Sequence, residues 1–227
     1  VAHVNGGQAT GSFGGTPSSV TIPFTATAGN TLLLACFTSS GAAITGVTDN
    51  AGNTWTLDTT LNNTAFFRLD QVGASVPTTV NIAFSGGGSA LARASIEEVS
   101  GLVGATLDDT SFVTTSFGRS HSVAADPTVA SAHAFGTMSF NGGGAPNIEN
   151  LVSIGGASTL LTSGAAPAGV AGWYNADLGA AGTKTLGFSW DAANGSGMTC
   201  DLAAVTYAPA GGGGTTSILK QMMHYYQ

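Results

Sequence analysis

At 227 residues the chain can bury a sizeable core as one domain, and only 7% of it is charged, against roughly 25% in an average soluble domain. Five Lys and Arg against twelve Asp and Glu give a net charge of −7 with no basic cluster, which argues against nucleic-acid binding through phosphates. No run approaches the ~18 apolar residues of a membrane-spanning helix, and 34 glycines among abundant Thr, Ser and Ala suit a rigid, extracellular-type β scaffold.

The first stretch, VAHVNGGQATGSFGG, lacks the basic and apolar regions of a signal peptide. The expectation is a chain whose signal has been removed, or one released by host lysis. Residues 1–18 are read as a Gly-rich arm, serving either as a contact segment or as a first edge strand. From residue 19 to 208, period-two alternation dominates. Val20, Ile22, Phe24 and Ala26 share one face of VTIPFTA, and Thr21, Pro23 and Thr25 the other. Val80, Ile82 and Phe84 alternate in the same way, as do Leu186, Phe188 and Trp190.

The longer apolar runs TLLLACF (31–37) and DLAAVTYA (201–208) suit central strands that are covered on both sides or carry small residues outward. Turn clusters such as TAGN, DNAGN, SGGGS and NGGGAPN separate the runs. About a dozen strands at sandwich spacing predict an all-β fold, a two-sheet antiparallel β-sandwich of jelly-roll type over 19–208. Cys36 and Cys200 both fall in apolar runs and are read as buried thiols.

Several motifs invite chemistry. VTDNAGNTW (47–55) has the oxygen-rich look of a calcium loop, but Ala51 stands where a ligand is needed, so it reads as a hairpin turn with Gly52 or Asn53 in the left-handed conformation. Glu97 and Glu98 are adjacent, and neighbours on a strand face opposite ways, so they cannot flank one glycosidic bond. His3, His121, His133 and His224 show no metal-ligand spacing, and neither a metal nor another cofactor is expected. Ser120 in RSHS lacks a nucleophile elbow.

Trp55 and Trp190 fall in phase with core residues. Trp173 and Tyr174 are adjacent, so one of them should face outward, and with Asn175 they form the candidate glycan contact. An enzyme would instead need two carboxylates facing across a cleft, drawn from Asp58, Asp70, Asp177 and Asp191.

After the last strand comes a tether, residues 209–216, and then SILKQMMHYYQ, residues 217–227. At helical spacing Ile218, Met222 and Tyr225 line up beside Leu219, Met223 and Tyr226, and Thr216 or Ser217 supplies an N-cap. A helix this short does not hold alone in water, so helical or extended, the segment must dock. Its target is either its own sandwich or a neighbouring chain.

Four segments resemble, in order, a jelly-roll domain of bacterial surface proteins and tailed-phage structural proteins: GNTLLLACF, ITGVTDNAGNTWTLD, EEVSGLVGATLDDTS and MTCDLAAVTYAP. The hairpin motif falls on Val47, Asp49, Gly52, Asn53, Thr54 and Trp55, and the later segment on Glu98, Ser100, Gly101 and Leu102. The resemblance spans about residues 29–208, at turn and core positions that speak for fold, and it offers no catalytic residue to transfer. The tail lies outside it, yet short aromatic-ended peptides after a glycine tether look like those of phage virion proteins.

The resemblance implies a non-enzymatic virion structural protein displayed on a capsid or fibre. Its expected partners are copies of itself, with a trimer foreseen, other virion proteins and host-surface glycans, joined through Ile218, Leu219, Met222, Met223, Tyr225 and Tyr226. The alternatives are a secreted carbohydrate-binding or adhesive module and, third, a glycan hydrolase or lyase.

Overall fold

The computed structural model describes residues 1–13, 19–38, 42–85, 90–116, 120–141, 152–154, 159–161, 170–189 and 199–210. Residues 217–227, with the six docking side chains named above, lie outside that set, as do Trp190 and Asp191.

The first half of the chain supplies β1 (Ala2–Phe13), β2 (Ser19–Pro23), β3 (Thr31–Thr38), β4 (Ala43–Asp49), β5 (Thr56–Leu61), β6 (Thr64–Leu69), β7 (Thr79–Ser85) and β8 (Ala90–Ser100). The second half supplies β9 (Thr106–Ser116), β10 (Ser120–Ala125), β11 (His133–Asn141), β12 (Val152–Ile154), β13 (Thr159–Leu160), β14 (Val170–Asn175), β15 (Lys184–Ser189) and β16 (Thr199–Ala208). All the pairings are antiparallel.

The all-β sandwich is present, and it is doubled. The first half forms a five-stranded sheet, β1-β8-β3-β6-β5, faced by a three-stranded sheet, β2-β7-β4. The second half forms β9-β16-β11-β14-β13 faced by β10-β15-β12, the same order with eight added to every label. Each half is thus an eight-stranded jelly roll, and four sheets replace the expected two. Ala2–Phe13, the expected arm, is an edge strand of the first sheet, paired with β8 along nearly its whole length.

Three cores follow from this layering. Val20, Ile22, Phe24, Val80, Ile82 and Phe84 close the first roll against Leu32, Leu34 and Cys36. Val123, Leu186 and Phe188 close the second against Met138, Trp173 and Leu202. The third core lies between the two five-stranded sheets and joins Leu33, Ala35, Phe66 and Val99 to Phe135, Ala203, Val205 and Tyr207. β3 and β16 are apolar on both faces because each looks into two cores at once, Leu32 and Leu34 one way and Leu33 and Ala35 the other.

Across this seam β3 packs on β11, β8 on β14 and β5 on β9, while Gly6 of β1 lies against Leu161 beside β13. Exchanging the two halves maps β3 on β11 onto itself and β5 on β9 onto β13 beside β1. The Arg68–Tyr207 contact of β6 with β16 is the counterpart of β8 on β14, so the rolls are related by an approximate two-fold, as in an isologous dimer fused into one chain. Cys36 and Cys200 are free thiols in different cores, and burial pushes both far up from the ordinary thiol range, with the Asp201 charge adding to it for Cys200.

The V-x-D-x-x-G-N-T-W hairpin has a physical explanation. One Asp49 carboxylate oxygen accepts the Ala51 and Asn53 backbone N–H groups at 2.9 and 3.1 Å. The other accepts the Asn53 amide at 3.0 Å and the Trp55 indole N–H at 2.9 Å. Gly52 takes the positive φ of 76° that the turn requires. Partial burial would raise the Asp49 pKa, but these donors outweigh it and hold the carboxyl below its ordinary value.

Candidate functional site

The seam between the rolls carries the densest buried polar chemistry of the described residues. Ala92, Ala94 and Ile96 point into the first roll, so alternation along β8 turns Arg93, Ser95, Glu97 and Val99 toward the second. Glu97 and Glu98 do point to opposite faces, and they serve different ends. Glu98 accepts the Thr27 N–H at 2.8 Å and the Asn30 amide at 2.6 Å, fixing the β2–β3 connection. Glu97, at 0% exposure, reaches across the seam.

Glu97 accepts from two imidazoles. His133 Nε2, on β11 and also at 0% exposure, lies 3.0 Å from one oxygen, and His3 Nδ1, on β1, lies 3.1 Å from the other. The carboxylate therefore ties three strands from both rolls. Tyr174 on β14 stacks on His3 with centroids 4.0 Å apart and planes 9° from parallel, and it is near-parallel to the His133 ring at 6.4 Å. Nδ1 of His133 has no hydrogen-bond partner, so the Glu97 bond is the one hydrogen bond that orients that ring. Of the three side chains in this hydrogen-bonded set, His3 is the partly open one, with 22% of its side chain exposed.

A second group lies one residue pair away, since His133 and Tyr207 are cross-strand partners. Tyr207 donates its hydroxyl to Asp58 of β5 at 2.8 Å, tying the second roll to the far edge of the first. Arg68 Nε sits 3.5 Å from the same Asp58 oxygen, an ion-pair contact longer than a good hydrogen bond. The Arg68 guanidinium also donates to the Ala105 carbonyl, approaches Asp70 at 3.8 Å and lies 5.6 Å over the Tyr207 ring. Burial first, then the charge and hydrogen bond of Asp58 and the charge of Glu97, push the Tyr207 phenol well above its ordinary value, with Arg68 partly opposing. Tyr207 is thus a neutral donor.

The glycan candidates separate. Trp173 is fully buried, packed edge-on to Phe188 at 6.1 Å over Gly136, and leaves no ring face for a sugar. Tyr174 is half-buried, and one of its faces is taken by His3. Asn175 is buried and accepts the Asp177 N–H at 3.1 Å, shaping the loop after β14. Trp55 is partly buried against the first core.

Of the four carboxylates from which an enzyme reading would draw its pair, Asp58 and Asp70 come together with the Arg68 guanidinium between them. Asp177 accepts the Gly179 N–H at 2.8 Å in its own turn. Among the described residues no group of three or more His, Cys, Asp or Glu is arranged to hold a metal ion.

Sequence reasoning missed the seam because the contacts across it join residues 36 and 149 positions apart. One local signal existed: in ALARASIEEVS the face that alternates against Ala92, Ala94 and Ile96 carries Arg93 and Glu97, and charged groups inside a central strand need buried partners somewhere. Compared with known proteins, the chain matches no family model, no curated protein and no solved structure.

Proposed function

We propose that the chain is a non-enzymatic structural protein of a tailed bacteriophage particle, a stiff pair of jelly rolls displayed on a capsid or fibre. The observation that carries this reading is how the buried ionisable groups are used. Glu97 is held between two histidines, and Asp58 between Arg68 and Tyr207, with His133 and Tyr207 reaching them from across the seam. Carboxylates saturated by internal partners hold two bodies in one register, whereas an acid–base pair must leave a proton-transfer route to substrate. The scarcity of surface charge and the four family-like segments point the same way.

Mass spectrometry of purified particles tests it. The reading expects the chain at a copy number set by capsid or fibre symmetry, reachable by antibody on intact particles. Its absence from purified particles would refute the proposal, as would glycan cleavage by the pure protein.

A further inference from the structure

The first roll is unbalanced: five strands on one side face three on the other, and β4 ends the smaller sheet with no strand paired to its outer edge among the described residues. Opposite that edge lies the last hairpin of the larger sheet, β5–β6. Between them runs a groove of about 260 Å³ lined by Ala43, Ile44, Leu57, Thr60, Ala65 and Phe67, with no charged side chain in its wall. Leu57, the most open large apolar side chain of the described residues, is 54% exposed on its floor. A free strand edge beside an uncharged groove, whose wall mixes apolar side chains with Thr38, Asn62 and Asn63, is the geometry that β-augmentation fills: main-chain bonds to the edge and alternate side chains into the groove.

We propose that this groove seats the chain's own residues 217–227 as a fourth strand of the small sheet, beside β4. In extended form SILKQMMHYYQ has two unlike faces. Leu219, Gln221, Met223 and Tyr225 make an uncharged one, matching the uncharged wall, while Lys220 and His224 fall on the other with Ile218, Met222 and Tyr226. The route fits as well. Ala210 lies against Gly104, whose N–H is bound to Asp70 just past the end of β6. From that point, at the level of the sheet that holds β16, the small sheet is two sheet spacings away, ~20 Å. Residues 211–216, fully extended, span ~20 Å. The glycine tether is thus long enough to carry the segment around the β5 edge, and it holds the segment near the groove at a millimolar-scale effective concentration.

Photo-crosslinking on the full chain tests this. Leu57 is replaced by benzoylphenylalanine; because the side chain is exposed, the melting temperature should stay within about 1 °C of wild type. A mixture of ¹⁴N- and ¹⁵N-labelled protein is irradiated, digested with trypsin and read by mass spectrometry. The proposal expects Leu57-position crosslinks to residues 221–227, within single-isotope species, and their loss in a Met223→Asp chain. Crosslinks joining ¹⁴N to ¹⁵N chains would overturn the own-chain occupant in favour of a second copy's tail. The absence of crosslinks to residues 217–227 would overturn the docking site itself. None of these outcomes depends on whether the protein belongs to a particle.

Discussion

Glu97 stands in the middle of an eleven-residue strand with no water to solvate it, and the two imidazole N–H groups that replace water come from opposite rolls. Glu97→Gln keeps the volume but turns one acceptor into a donor facing a ring nitrogen. Because breaking a buried charged contact leaves its partners unpaired, the variant should lose about 3 kcal/mol in urea unfolding. Asp49 acts more locally. Its carboxyl is held below the ordinary range by four N–H donors against the opposing effect of burial. A group with a depressed folded pKa stabilises the fold above its unfolded pKa of about 3.9 and loses that contribution as pH falls. Asp49→Asn should therefore cost about 1–2 kcal/mol at about pH 7, and the gap to wild type should narrow toward about pH 3. Equal gaps at both pH values would mean that the charge does not organise the hairpin.

Strands were legible where each faces one core. Val20, Ile22, Phe24 and Ala26 are buried, and Thr21, Pro23 and Thr25 are not, as alternation predicts. The two-faced runs of β3 and β16 were legible as central strands, but not the two different cores they serve. Trp173 shows why. Adjacency to Tyr174 says that the pair faces opposite ways, and in a four-layer fold both ways are inward, one into the second core and one into the seam. Its place depends on Gly136, where an added Cβ would lie 2.2 Å from the indole and 2.7 Å from the Ala203 carbonyl. Gly136→Ala should cost at least about 3 kcal/mol, since a backbone atom cannot yield as a side chain does. At Gly172 a Cβ would meet Ser95 at 2.5 Å across the seam. Gly172→Ala should accordingly weaken the contact between rolls, seen as faster amide exchange in β8 and β14.

At the scale of the whole molecule the duplication was present in the sequence but faint. Val20 pairs with Ile82 as Val123 pairs with Leu186, each leading on to a Phe-Ser at the end of its strand, Phe84-Ser85 and Phe188-Ser189. Yet the Asp49 hairpin has no counterpart motif in the second half, and two copies about a hundred residues apart give periodicity little to repeat. What the halves share is topology, which tolerates almost any residues of the right alternation. Because the seam core is continuous with the core of each roll through β3 and β16, the two rolls should unfold in one transition, with equal calorimetric and van't Hoff enthalpies.

The stacking of the rolls through a shared polar contact is tested most directly by a double-mutant cycle on Glu97→Gln and His133→Ala, one residue from each half. A coupling energy of at least about 1 kcal/mol from urea unfolding is the predicted result. Additive effects, with coupling near zero, would mean that the two side chains do not meet and that the rolls do not stack as described.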